Sequence, residues 1–396
     1  MFIANVSPGK KIVKTLTFHP DTYIIDVSIN VDEIKDRVFA GIYSLGWFGG
    51  LTTTEENITD DHIYFKSYVY QGGELEDIKL SEGESESLRF NGATDWVAIR
   101  TKYFITSFIP SDPKIVVSAS IGGKYEEREI YDMALSLTVN KPGDLSLFLG
   151  PLEYDRIKSV GRDLDQVMNF GILFVRPISK SVLWVLKKMH VYIPNYGFIL
   201  IIFAFGVKLL VYPLTKKSYQ STAAMQRLQP EITALKDKYK NNAQKLNQAT
   251  MKLYKEKGVN PLGGCLPMLL QMPLLFALFV VFRTTIELRA EPFIWWIKDL
   301  SAPDAVFTLP FSIPIYGAHV AILPILMVVS MFIQQRMMSG GAAQQPQQKM
   351  MQYFMTGFFF LMFNTFPSGL NLYYTLFNVL TIAQQKLIPP TETLTS

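Results

Sequence analysis

Hydrophobic positions keep two different rhythms along this 396-residue chain. Up to about residue 150 they alternate with polar ones in short runs rich in β-branched and aromatic residues. The runs are KIVKTLTF, TYIIDVSINV, HIYFKSYVY, WVAIRTKYFITSFI and KIVVSASI. A period of two marks half-buried strands. Turn-rich stretches at Gly49–Gly50, Gly72–Gly73 and Ser81–Ser87 separate them. Regular spacing of this kind predicts an antiparallel β-sandwich over residues 1–155. The acidic stretch Glu74–Glu86 is expected as a solvated loop.

Beyond Asn195 the apolar stretches lengthen. Five stand out, at about 195–214, 263–283, 313–335, 350–366 and 370–388. The first two match the roughly 20 residues that a helix needs to cross a core of about 30 Å. The fourth is shorter, and Pro367-Ser368-Gly369 joins it to the fifth, which predicts an antiparallel hairpin of spans. Two amphipathic segments complete the pattern. Residues 156–192 are expected as a linker ending in a helix, with Val182, Leu183, Val185, Leu186 and Met189 on one face and Lys180, Lys187 and Lys188 on the remainder. That helix either lies in a membrane interface or packs on the β domain. In the segment after the first span, Met225, Leu228, Ile232, Leu235 and Tyr239 keep the 3-4 spacing of a helical seam. Asn241-Asn242 interrupts it, and Ala243, Leu246, Thr250 and Leu253 make a weaker second seam. A helical hairpin over residues 216–260 is the expectation.

The fold class predicted is therefore multi-domain, α and β. An extracytoplasmic antiparallel β-sandwich precedes a polytopic bundle of five transmembrane helices over 193–390, with a cytoplasmic helical hairpin and a short tail, 391–396. Composition agrees, since 49% hydrophobic and only 18% charged residues is too greasy for an ordinary soluble domain of this length. Charge orients the bundle. Residues 215–262 hold ten Lys/Arg against three Asp/Glu, and the positive-inside rule puts them in the cytoplasm. Five spans then place the β domain and residues 284–312 outside, with Trp295 and Trp296 as interface anchors, and the C-terminus inside. An exported first domain needs a targeting segment, and MFIANVSPGKK has no signal-peptide pattern. A preceding signal-anchor helix is expected.

One cation lies well inside the first span. Lys208 in hydrocarbon costs about 2.5–3.5 kcal/mol on insertion-based scales, so it needs compensation or a route to the interface. It stands six residues before Leu214, so snorkelling is one route. A water-filled polar lining is the other. Candidates for that lining are Gln271, Ser330, Asn371, Thr375 and Asn378, with Thr356 and Asn364 also intramembrane. Asn371, Thr375 and Asn378 fall on one face at i, i+4 and i+7. Helix–helix hydrogen bonding is the alternative use of such residues. No Asp or Glu occurs in the five stretches, which argues against acidic proton relays. The single Cys265 and four scattered histidines hold no metal-ligand spacing, and no cofactor motif is present. Twelve of sixteen methionines lie beyond residue 215, a composition suited to core filling or to varied apolar partners. A channel or solute transporter, a sugar-binding ectodomain on an anchor, and an assembly scaffold remain alternatives at this level.

Four runs carry a resemblance: VKLLVYPLTKKSYQSTAAMQRLQPEI, LYKEKGVNPLGGCLPMLLQMPLLFAL, ELRAEPFIWWIKDLSAPD and FPSGLNLYYTLFNVLTIAQQKLI. They closely resemble the YidC/Oxa/Alb family of membrane protein insertases, its bacterial branch most. DWVAIRTKYFITSFIP is similar to that branch's periplasmic domain, a β-supersandwich. The resemblance implies an inner-membrane protein with a groove open to cytoplasm and lipid. Lys208 would be the groove charge, at a position where arginine is common; Gln271 and Trp296 fall at groove-associated positions. Met272, Tyr373 and Tyr374 are expected to contact substrate. The charged hairpin, with Lys216, Lys217, Arg227, Lys236 and Lys238, matches a cytoplasmic loop required for insertion. Implied partners are nascent membrane proteins, the Sec translocon with its accessory subunits, the lipid bilayer, and the ribosome. Ribosome docking is expected to be weaker, because the tail IPPTETLTS is not basic.

Overall fold

The computed structural model describes residues 1–240, 242–259, 266–338 and 346–387. The chain divides into two compact units, Met1–Asn169 and from Phe170 onward.

The first unit is β-rich. Its strands are β1 (Phe2–Ser7), β2 (Lys10–Phe18), β3 (Ile24–Asn30), β4 (Ile42–Trp47), β5 (Lys66–Gln71) and β6 (Glu74–Ile78). They continue with β7 (Ser85–Asn91), β8 (Trp96–Arg100), β9 (Phe104–Pro110), β10 (Val116–Tyr125), β11 (Glu129–Thr138) and β12 (Gly143–Pro151). Eight form a sheet ordered β1-β2-β3-β12-β9-β8-β5-β6, and four form a second ordered β4-β11-β10-β7, with antiparallel pairing throughout. One hydrophobic core, including Val27, Val97, Ile99, Ile121, Met133 and Leu135, joins residues of both sheets. Alternation is plain in β11, where every second residue from Tyr131 to Leu137 is buried.

Two expectations change here. The acidic stretch Glu74–Glu86 is strand at both ends, 74–78 in β6 and 85–86 in β7, with a turn between them. Gly72 and Gly73, with φ of 63° and 87°, make the two-residue turn that folds β6 back on β5. Its Glu74, Glu76 and Asp77 face water while Ile78 is buried, so an edge strand carries the acids. Residues 156–169, expected as linker, pack into the first unit. A short helix α1 (Ile58–His62) precedes β5, and α2 (Tyr154–Val160) follows β12. Ile157 on α2 is buried, as are Leu164 and Val167 beyond it. Trp96 Nε1 donates to Arg162 O at 2.9 Å, and Arg100 Nη1 to Val167 O at 2.5 Å. The segment thus covers the second face of β8, all five residues of which are buried.

The second unit is mainly helical: α3 (Arg176–His190), α4 (Tyr196–Arg227), α5 (Gln229–Lys238), α6 (Ala243–Glu256) and α7 (Leu266–Thr284). After α7 come a two-stranded hairpin, β13 (Ala305–Ile313) and β14 (Gly317–Ala321), then α8 (Ile322–Met338), α9 (Pro346–Phe363) and α10 (Ser368–Leu387). α3 buries Val182, Leu183 and Leu186 against α4 and α7. α10 is the hub, packed on α4, α7 and α8.

Two boundaries move. The helix expected to end near Leu214 runs on through Pro213 to Arg227, because YPLTKKSYQSTAAMQR contains no glycine or asparagine to stop it. Lys216, Lys217 and Arg227 therefore ride on α4, and only Lys236 and Lys238 lie on α5. The stretch 313–335 is not one helix: residues 305–321 pair as strands, and the helix begins at Ile322. Asn242 caps α6 through Lys245 N at 2.9 Å, while Asn241 lies outside the described residues, as do the NPLGGC run from Asn260 to Cys265 and the tail from 388. The hairpin's small core joins Leu228, Ile232 and Val259 with Met225, Leu253 and Tyr254. Among the described residues one helix, Tyr196–Arg227, is long and apolar enough to cross a membrane; Gln271–Thr284, Ile322–Met337 and Tyr353–Phe363 are shorter apolar helices.

Candidate functional site

Lys208 faces α10. Its side chain is 7% exposed, so it does not snorkel. Nζ donates to Thr381 Oγ1 at 2.6 Å and sits 4.2 Å from the centroid of the Phe377 ring. Thr381 in turn donates to Phe377 O at 2.7 Å. Among the described residues the ammonium makes no ion pair, so a hydroxyl and the negative face of a ring are what oppose its charge. Two helical turns along α4, Gln384 Nε2 donates to Thr215 Oγ1 at 2.9 Å. Thr215 itself bonds back to Val211 O and Tyr212 O, next to the break that Pro213 makes in the ladder. The α4–α10 contact is thus a polar seam.

The face expected from Asn371, Thr375 and Asn378 is split among three tasks. Asn371 Nδ2 donates to Phe363 O at 3.0 Å and closes the α9–α10 turn. Thr375 bonds back to Asn371 O at 2.8 Å. Asn378 Nδ2 reaches Ser330 Oγ on α8 at 3.2 Å, so these two predicted residues do meet. Tyr373 and Tyr374 are buried rather than presented on an open face. Tyr374 donates to Leu275 O on α7 at 3.2 Å, and Tyr373 packs between Phe203 and Phe377. Gln271 and Met272 are half-buried on α7. Thr381 and Gln384, absent from the lining that the sequence suggests, continue the polar spacing of 371, 375 and 378 down α10.

The opposite end of the bundle is tied by the segment between α7 and β13. Asn195 Oδ1 caps α4 at Phe198 N, and its Nδ2 donates to Pro292 O at 3.0 Å. Gly197 leaves room for the Phe293 ring directly against the α4 backbone. Asp299 Oδ1 accepts from Ala290 N, Ser301 N and Ser301 Oγ, and Ser368 Oγ donates to Asp299 O at 2.7 Å. Trp295 is exposed and stacks on Trp296, whose Nε1 donates to Asp304 Oδ2 at 2.9 Å. The same oxygen accepts from Ile322 N and Leu323 N, so Asp304 caps α8 from a distant segment. Burial pushes the Asp304 carboxyl above its ordinary value, and the three donors oppose that.

Lys216, Lys217, Arg227 and Lys238 are exposed, Lys236 half-buried, and Lys238 also lies over the Tyr239 ring. Gln226 Nε2 donates to Met337 O at 2.6 Å, tying the end of α4 to the end of α8. Among the described residues no group of three or more His, Cys, Asp or Glu side chains is placed to hold a metal ion.

Two family models match the chain. Residues 188–393 match the 60Kd inner membrane protein family, and residues 1–185 match the YidC periplasmic domain. Curated relatives named membrane protein insertase YidC include that of Chlorobium luteolum, 40% identical over 400 residues. That alignment takes in 98% of this chain and 67% of the relative. The protein of Chlorobium phaeovibrioides is 40% identical over 98% of this chain and 68% of its own length. Among solved structures, an active YidC insertase with its first transmembrane domain resolved aligns over 96% of this chain and 93% of its own, at 22% identity and a TM-score of 0.44.

Proposed function

This chain belongs to the YidC family of membrane protein insertases, and from that premise we propose how its residues insert a substrate. It is an insertase of the bacterial inner membrane, acting on nascent membrane proteins, with an N-terminal β-rich periplasmic domain and a helical part. In the proposed arrangement α4, α7, α8, α9 and α10 are the five spans. Residues 216–257 lie in the cytoplasm, and the first unit and residues 284–321 lie outside. The basic α4–α5–α6 region supports this orientation.

The proposed groove runs along the α4–α10 seam, with Lys208 as its charge and Gln271, Met272, Ser330 and Asn378 along neighbouring helices. One observation carries the reading. Among the described residues Lys208 is buried without a carboxylate, and the hydroxyl and ring that hold it are groups that a stronger partner can replace. A substrate carboxylate entering from the cytoplasm offers that partner. At an effective dielectric of about 20, opposite charges 4 Å apart attract by about 4 kcal/mol, more than a cation–π contact of about 1–2 kcal/mol supplies. The substrate's polar segment is thus drawn partway across, and burial of its apolar segment in lipid drives the remainder. At about 25 cal/mol per Å² that burial is worth many kcal/mol. Tyr373 and Tyr374 would reach substrate only after α10 moves from α7 and α4. The Sec translocon and the ribosome are proposed partners, the latter through the lysines of the cytoplasmic hairpin.

The test is insertion by full-length protein in liposomes, comparing Lys208→Glu with the unaltered chain. Loss of insertion for substrates with acidic translocated tails supports the reading. Undiminished insertion overturns it.

A further inference from the structure

The hairpin β13–β14 has no part in the groove, yet it is conspicuous chemically. Residues 305–321, AVFTLPFSIPIYGAHVA, contain no Lys, Arg, Asp or Glu. Phe307 and Phe311 are 60% and 61% exposed on β13, and Ile313 at its end is 36% exposed. The turn holds Ile315 at φ 71°, where a β-branched residue is an outlier, and leaves it 60% exposed at the tip. A turn that needed only to reverse the chain would use glycine or asparagine there.

The hairpin is fixed in place. Asn364, buried at the end of α9, donates through Nδ2 to Tyr316 O at 2.8 Å and His319 O at 2.6 Å, and its Oδ1 accepts from Ala321 N at 3.1 Å. β14 passes into α8 with no intervening residue. The strand therefore leads directly into α8, whose Ile325, Leu326 and Val329 are exposed.

We propose that β13–β14 is a monotopic anchor whose Phe307, Phe311 and Ile315 side chains enter the outer leaflet of the lipid bilayer. The occupant is lipid rather than a protein because the hairpin is uncharged and leads directly into a helix whose exposed apolar side chains the proposed bundle gives to lipid. The depth follows from the backbone. Among the described residues both outer edges of this two-stranded sheet are unpaired, and open edges do not occur in hydrocarbon. The strands therefore lie in the headgroup region, where water satisfies them, with the apolar side chains pointing inward. The anchor would hold the outer end of α8 at fixed depth while other helices move.

The inference rests on the proposed bundle, so its test includes a reference within it. In a Cys265→Ser background, single cysteines replace Phe307, Phe311, Ile315, Ser312 or Val329 and carry an environment-sensitive fluorophore. The full chain is reconstituted in phosphatidylethanolamine/phosphatidylglycerol vesicles with or without brominated acyl chains. Probes at 307, 311 and 315 should lose about half their emission to the bromines, as should 329, with 312 clearly less affected. Quenching at 329 but at none of the three hairpin positions overturns the anchor and leaves the bundle standing. No quenching at 329 overturns the bundle as well. Hairpin probes shielded only when a nascent chain is present would assign the surface to substrate and also overturn the proposal.

Discussion

Replacing Lys208 by methionine removes the ammonium and keeps an unbranched stem of similar reach. Thr381 loses a donor but keeps its own bond to Phe377 O at 2.7 Å, so the substitution leaves little unsatisfied. A buried charge without an opposite partner is a cost to the fold, and removing it is neutral or stabilising. The thermal midpoint of the variant in detergent should therefore not fall. Insertion should respond differently. With an effective dielectric of about 20, a substrate carboxylate about 8 Å from the ammonium gains roughly 2 kcal/mol. At about 1.4 kcal/mol per tenfold, this is a rate factor of about 30. The assay uses proteoliposomes and a single-span substrate bearing either Asp or Asn in its translocated tail, with protease protection as the readout. Insertion of the Asp form should drop about 30-fold on Lys208→Met, and the Asn form by no more than about threefold. Lys208→Arg should restore most of the difference, since it returns the charge. Equal losses for the two substrates would refute the electrostatic argument, as would a large drop in thermal midpoint.

Three further expectations follow from the packing. Asn364→Ala leaves one buried N–H and two carbonyls unpaired at about 1–3 kcal/mol each, so nanodisc-embedded protein should melt several degrees lower; an unchanged midpoint would mean water replaces the amide. Asp304 has its carboxyl raised above the ordinary 3.8 by burial, so its contribution is complete below that value and fades as pH rises through the folded-state value. Asp304→Asn should thus gain stability relative to the unaltered chain between pH 3.8 and neutrality, and a pH-independent difference in melting would contradict the assignment. Ile232→Ala removes a large part of the three-residue buried core of the cytoplasmic hairpin, a loss of about 2–5 kcal/mol. Hydrogen exchange in α5 and α6 should accelerate while α10 is unchanged; accelerated exchange spreading to α10 would show a single cooperative unit instead.

Much of the architecture was legible from pattern alone. Period-two runs mark β2, β3, β5, β8, β9 and β10, and the 3-4 spacing from Met225 to Ile232 marks the seam that forms the hairpin core. Edge strand β6 was hidden because its acids read as solvation. Nothing in composition distinguishes a charged loop from a charged strand whose alternate residue is buried. β13–β14 was hidden by an excess of apolar residues, which at short length fit strand and helix equally. At the site, Lys208 announces itself as a cation in an apolar run. Its partners did not, because Thr381 and Phe377 are ordinary helix residues 173 and 169 positions away.

By itself the sequence determined that an alternating, acidic first half becomes sheet and that a basic, apolar second half becomes long helices. Those outcomes depend on periodicity and burial, which neighbouring residues encode. Only the tertiary structure decided which polar groups share a seam. Asn371, Thr375 and Asn378 occupy one helical stripe yet serve a turn, their own helix and α8, since the partner of a side chain is set by what packs opposite. Where Lys208 points was settled the same way: α10 brings a hydroxyl and a ring to it, and no local signal specifies which helix comes alongside.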